Sequence, residues 1–282
     1  MESLGKQTGV LCMIGSAILF AMGGLLIKLN TMPAVSINGL RCLCAFMVLG
    51  IYIRLKHHRF VVNLGTFICT VANFGMSLTF VMANKLTSAA NAIVLQFTMP
   101  IYIILIMWLI FHKRPDRNSV IACTVSFIGV IFFFFDSLTP SGLLGIFLAL
   151  FSGMLYAIVF VSKSIKGCDF ESAIMISFVI SFVVSLPTVV KEPNFTTVNI
   201  LTVIALGVFQ QAGAYIMLSR GLKSVPPVAA SLISMVEPIL NPVLVAVFYG
   251  EMIGMLSLVG AVIVIASATV YNVLETLKGQ EA

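Results

Sequence analysis

Apolar runs of about 20 residues recur along the chain, separated by short polar breaks. As a helix rising 1.5 Å per residue, a run of that length crosses the ~30 Å hydrocarbon core of a bilayer. Ten spans are expected, at 9–29, 35–53, 61–82, 87–111, 118–135, 142–162, 172–190, 198–218, 226–249 and 254–274. The runs are continuous rather than alternating, which excludes a transmembrane β-barrel. The breaks leave no room for a soluble domain. The run from Gly9 to Leu29 is longer than a signal-peptide core and has no small-x-small cleavage site, so it reads as a retained helix.

Polar residues inside these runs fall in stripes. Span 3 carries Thr70, Asn73, Ser77 and Asn84 on one face of a 3.6-period helix. Span 4 carries Ser88, Asn91, Thr98 and Tyr102, with Gln96 just off the stripe. Span 8 has Gln211 and Tyr215 four apart, with Gln210 adjacent, and span 9 has Ser231, Ser234, Glu237 and Asn241. A polar cavity between spans 3, 4, 8 and 9 would explain all four stripes. The plainer reading is hydrogen bonding between helices, worth ~0.6 kcal/mol on average.

Glu237 stands out. By helix rise it lies ~17 Å from Pro226, near mid-membrane. Ionisable groups at that depth are functional by default, because their burial is expensive. Desolvation makes Glu237 a candidate proton carrier. It could equally bind a cationic group of a solute, or only fix packing. Pro238 and Pro242 flank it. Each lacks an N–H and clashes with the carbonyl four residues back, which frees the carbonyls of Ser234 and Pro238. Pro100 does the same to Gln96 in span 4.

Composition fixes the class. The chain is 60% hydrophobic and 9% charged, with mean hydropathy +1.13, whereas soluble domains are about 25% charged. The net charge of +6 sits in short loops, so it signals topology and not nucleic-acid binding. With the N-terminus in the cytoplasm, twelve Lys and Arg face inward and only Lys28, Lys85 and Lys191 face outward. That bias places both termini in the cytoplasm of a multi-pass plasma-membrane protein. Arg41 alone lies within a span. It could pair with a solute carboxylate, snorkel, or satisfy helix-end carbonyls. Ser177, Ser181 and Ser185 on span 7 read as packing contacts, and His57 and His58 belong to the basic loop. Six cysteines form no C-x-x-C pair, so neither a disulfide framework nor a zinc site is expected. No phosphate loop or nucleophile motif occurs, the acids and histidines are not expected to cluster at one interface, and no cofactor or metal is expected. The partners expected are a small-molecule solute, the bilayer and protons. Oligomeric state is not written in the chain.

A 138-residue shift places Lys85 on Lys223, Ala92 on Ala230, Pro100 on Pro238 and Ile101 on Ile239. It also places Asn73 on Gln211 and Ser77 on Tyr215. Spans 1–5 then map onto 6–10, giving halves at 1–137 and 138–282. Five is odd, so the second half enters the membrane inverted, as in many secondary transporters. With the arginine of Gly39-Leu40-Arg41 and the run Ala229-Ala230-Ser231, Glu237-Pro238, Gly250-Glu251, the chain resembles the drug/metabolite transporter superfamily, EamA type. The first half departs from the pattern: Met99 precedes Pro100, and His112-Lys113 stands in place of Gly-Glu. The resemblance implies an all-α fold of ten helices in two inverted repeats, a structural role for Arg41, and export of an amino-acid-like, nucleobase-like or drug-like solute by alternating access. An uncoupled facilitator or channel is the alternative, distinguished by absence of counterflow. A membrane-embedded enzyme would need clustered catalytic groups.

Overall fold

The computed structural model describes residues 2–86, 89–135, 142–240 and 254–281. Ser88, Asn241, Pro242 and Gly250-Glu251 lie outside the described residues, as do the side chains of Lys28, Asn84, Lys85 and Asn91. Every regular element among the described residues is helical. In order these are α1 (Glu2–Leu29), α2 (Ala34–Leu55), α3 (Leu64–Leu86), α4 (Ala89–Gln96), α5 (Met99–Leu109), α6 (Arg117–Phe134), α7 (Leu143–Val161), α8 (Phe170–Lys191), α9 (Thr197–Ala205), a π segment (Leu206–Gly213), α10 (Ala214–Gly221), α11 (Pro227–Ser234) and α12 (Met255–Glu281). A helix resumes at 236–240 after a turn at Met235.

Among the described residues, six segments are long and apolar enough to cross a membrane: Ala34–Leu55, Leu64–Ala83, Ala92–Leu109, Leu143–Ser164, Phe170–Lys191 and Thr197–Gly221. Shorter apolar helices, Gln7–Gly23, Arg117–Phe132, Pro227–Leu240 and Met255–Tyr271, fall on the remaining expected spans. The outside of the molecule is apolar. Phe67, Val71, Ile121, Ile128, Phe147, Val183 and Val262 are all exposed. Asn38, Arg41, Asn73, Gln210 and Gln211 are buried. Exposed aliphatic faces around a polar interior suit a lipid solvent.

Helix starts follow local chemistry. Asp116, Asp169 and Thr196 cap α6, α8 and α9 by accepting from the backbone N–H of Ser119, Ser172 and Asn199. Each satisfies one donor that the first turn leaves orphaned. Prolines begin α5 and α11, where a missing N–H loses no bond. Spans 4 and 9, which share the aligned Pro100 and Pro238, break at matching places, whereas the helix Phe170–Lys191 runs through Pro187 unbroken. Span 4 divides at Phe97–Thr98, just before Pro100, and span 9 turns at Met235, just before Pro238. Gly153 lets α7 lie against the first break, since a Cβ there would stand 2.7 Å from the Gln96 carbonyl oxygen.

The halves interlock. α2 packs on α8, α6 on α12, α5 on α11, α3 on α7 and α10 on α1. Exchanging each helix for its counterpart in the other half maps this set of neighbours onto itself. Individual contacts repeat as well. Ser16 Oγ donates to the Ala214 carbonyl at 3.0 Å, and Ser152 Oγ to the Met76 carbonyl at 3.1 Å. A Cβ on Gly213 would stand 3.2 Å from Leu19 Cδ1, and one on Gly75 2.9 Å from Leu155 Cδ1. Gly75-Met76 and Gly213-Ala214 coincide under the 138-residue shift, and Ser16/Leu19 and Ser152/Leu155 share one spacing.

The π segment departs from the unbroken α-helix expected over 198–218. It turns beside α2, and a Cβ on Gly207 would stand 2.3 Å from Cys44 Cβ and 2.7 Å from the Arg41 carbonyl oxygen. Backbone cannot yield there as a flexible side chain would. Gly207→Ala is therefore expected to lower stability by about 1–3 kcal/mol, read as a fall in the thermal midpoint of the purified protein. An unchanged midpoint would contradict this packing.

Candidate functional site

The π segment aims two adjacent glutamines inward. Such segments are frequent at functional sites, because the i→i+5 bond widens the turn and re-aims its side chains. Gln210 Oε1 accepts from Arg41 Nη1 at 3.3 Å. Arg41 Nη2 donates to Asn38 Oδ1 at 2.8 Å, and Ser77 Oγ donates to the same oxygen at 2.7 Å. One polar chain thus joins α3, α2 and the π segment. A second begins at Tyr215 on α10. Its hydroxyl donates to Asn73 Oδ1 at 2.6 Å, and Asn73 Nδ2 donates to Ser177 Oγ at 2.6 Å. The Tyr215 ring is gripped edge-on by Phe20 and Phe178, with centroids at 5.3 and 5.7 Å.

Arg41 is 6% exposed and makes no ion pair among the described residues. Among the described residues its partners are neutral amides, and its Nε has none. Taking such a charge out of water without a counter-charge is a large penalty. Glu237 poses the opposite case. It follows the turn at Met235, and its Oε2 is buried without a hydrogen-bond partner among the described residues. Gln211 Oε1 is likewise buried and without a partner among the described residues. Tyr215 lies within electrostatic reach of both Arg41 and Glu237, and Tyr156 within reach of Glu237. A base without a counter-charge and an acid with an unpartnered oxygen, among the described residues, thus both act on one tyrosine.

The other expected residues divide between this centre and the helix breaks. Gln96 Nε2 donates to Ser152 Oγ at 2.8 Å, and Thr98 Oγ1 to the Leu95 carbonyl at 2.6 Å, so both hold the first break together. Ser234 is buried at the end of α11, and Tyr102 is half-buried on α5. Met99, the counterpart of Glu237, is fully buried. Asn38, Ser152 and Ser177 were not expected at the site. Asn38 and Ser152 belong to no polar stripe of their spans, and Ser177 belongs to a four-residue series that read as packing.

Two hydrogen-bonded clasps close opposite ends of α2, ~33 Å apart by its 22-residue length. At one end Asn30 Nδ2 donates to Thr202 Oγ1 at 2.8 Å, Thr31 N to Asn199 Oδ1 at 3.0 Å, and Asn194 Nδ2 to Thr31 Oγ1 at 3.1 Å. At the other, lysine- and arginine-rich end, His58 Nε2 meets Asp169 at 2.9 Å, and Asn63 Nδ2 donates to the Gly167 carbonyl at 2.5 Å. Glu171 there binds Lys163 at 3.1 Å, Lys223 at 3.4 Å and Ser219 Oγ at 2.5 Å. This corrects the expectation that acids and histidines do not cluster. Residues about 110 apart in sequence meet because α2 and α8 pack together. His58, Asp169 and Glu171 bring ligand atoms within 4.8 Å of one another, but two ammonium groups already occupy Glu171. The cluster reads as ion pairing, not metal binding.

The chain matches the EamA-like transporter family over residues 7–135 and again over 143–273. An uncharacterized transporter of Clostridium kluyveri is 25% identical over 217 residues, covering 72% of this chain and 70% of that protein. An uncharacterized transporter of Archaeoglobus fulgidus is 26% identical over 206 residues, covering 71% and 73%. A protein of known crystal structure superposes with a TM-score of 0.84 at 16% identity, over 95% of this chain and 98% of its own, a likeness of fold alone.

Proposed function

The chain belongs to the EamA-like transporter family, and from that premise we propose that it is a secondary transporter of ten spans in two inverted five-helix repeats, moving a small solute that carries both a carboxylate and an ammonium group. Arg41 takes the carboxylate and Glu237 the ammonium, with Tyr215, Gln210 and Gln211 between them. The observation that carries this reading is a buried Arg41 with no counter-charge and a Glu237 with a buried, unpartnered Oε2 among the described residues, both within electrostatic reach of Tyr215. A zwitterion of amino-acid type would complete both. Nucleobase-like and drug-like solutes lack the second pole.

The matching contacts of the two halves support the inverted repeat, and the two clasps support alternating access, in which one parts while the other holds. The basic-end clasp is assigned to the cytoplasm by the distribution of Lys and Arg. Export is the direction that the family resemblance implies. Proton coupling is assigned to Glu237, whose counterpart Met99 cannot titrate, so a single acid serves both access states.

Protein reconstituted in liposomes without ATP tests the proposal. Loading with one unlabelled amino acid and adding its labelled form outside should give transient accumulation, the counterflow signature of a carrier. Flux that rises linearly with concentration and shows no counterflow would mark a channel and overturn the carrier assignment.

A further inference from the structure

Cys69 and Cys168 meet where the two repeats touch at the basic end. Cys69 lies on α3 and is fully buried, while Cys168 is half-buried in the turn before α8. Their thiols lie within interaction range of one another. The backbone is pressed close around them. A Cβ on Gly65, one helical turn before Cys69, would stand 3.0 Å from Cys168 N and 3.1 Å from Cys168 Cβ. Gly167 turns the chain at φ +76°, a conformation that favours glycine. The Asp169 amide then donates to Thr66 Oγ1 at 3.1 Å. Neither thiol belongs to the solute site.

We propose that Cys69 and Cys168 form an oxidisable dithiol whose disulfide latches the basic-end clasp shut. The oxidant is a low-molecular-weight disulfide, and glutathione disulfide serves as the probe. Cys168, the accessible partner, attacks one glutathione sulfur as a thiolate. This forms a mixed disulfide at Cys168 and releases one glutathione thiolate, which takes up the proton that Cys168 gave up. Cys69 then attacks Cys168 Sγ, the second glutathione leaves, and the Cys69 proton goes to it. Two protein thiols are oxidised and one glutathione disulfide is reduced to two glutathione molecules. The neighbouring Cys69 thiol chiefly, then the Lys163 ammonium, hold the Cys168 thiol below its ordinary range against burial and the carboxylates of Asp169 and Glu171. That favours Cys168 as the first nucleophile.

The disulfide would tie α3 of the first repeat to the start of α8 in the second. Its effect on transport rests on the alternating-access reading; its formation does not. The test uses the full chain in lipid nanodiscs, equilibrated with excess glutathione disulfide, acid-quenched, alkylated and digested. Wild type should give one linked peptide pair, Cys69–Cys168. Cys69→Ser should stop at a glutathione adduct on Cys168, and Cys168→Ser should give neither product. Amide hydrogen exchange over residues 58–70 and 163–172 should slow about tenfold on oxidation and recover with dithiothreitol. Absence of the linked pair, or a linked pair with unchanged exchange, overturns the proposal. If the linked pair forms and slows exchange while neither redox state carries any solute, the latch stands and the transport reading falls.

Discussion

Arg41→Ala should lower solute flux in proteoliposomes by about two orders of magnitude, and Arg41→Lys should recover only a small part. Removing one partner of a buried, hydrogen-bonded charge pair costs about 2–5 kcal/mol, and the upper half of that range is 100-fold or more. Lysine restores charge but not geometry. Arg41 reaches Asn38 and Gln210 through separate Nη atoms, while its Nε has no partner among the described residues. Such a fork suits a planar carboxylate, which a single ammonium cannot match. A purely structural Arg41 predicts something else: flux and thermal midpoint would fall together for every solute. The account expects the flux loss to vanish for solutes that have a carboxamide in place of the carboxylate.

The second large effect concerns Glu237. Glu237→Gln keeps the size and hydrogen-bonding edge of the side chain and removes its ability to exchange a proton. Exchange of labelled for unlabelled solute should persist in this variant at saturating solute, with a higher half-saturation concentration because the ammonium loses its counter-charge, while uphill accumulation driven by a proton gradient should disappear. One pH unit across the membrane is worth about 1.4 kcal/mol per proton, so wild type at one-to-one coupling can concentrate solute about tenfold. The variant should only equilibrate. Wild-type accumulation in Glu237→Gln would remove Glu237 from the coupling step.

Much of the scaffold was legible because membrane burial imposes long, uninterrupted apolar runs. The span expected at 35–53 is the helix Ala34–Leu55, and that expected at 172–190 is Phe170–Lys191. The breaks near Gln96 and Ser234 were legible because proline removes a specific bond. The Asn73 stripe pointed to buried polar contacts, and its partner is Tyr215 itself. The π segment was not legible. It depends on how closely Gly207 meets Cys44 and the Arg41 backbone, a contact that no local pattern encodes. The basic-end cluster was missed for a related reason. Counting charges treats Lys163 and Lys223 as solvated loop residues, whereas Glu171 draws both onto one carboxylate. Ser177 read as packing from its four-residue spacing. Ser181 and Ser185 do face Gly39, but Ser177 carries the Asn73 bond.

The central claim is that Arg41 and Glu237 are the two poles of one solute site. Equilibrium binding tests it most directly, with wild type, Arg41→Ala and Glu237→Gln each titrated with an amino acid, its carboxamide and its deaminated acid. The account predicts that wild type binds the zwitterion tightest. Arg41→Ala should no longer separate amino acid from carboxamide, and Glu237→Gln should no longer separate amino acid from deaminated acid. If both variants discriminate among the three solutes as wild type does, the two residues are not the poles of the site and the assignment fails.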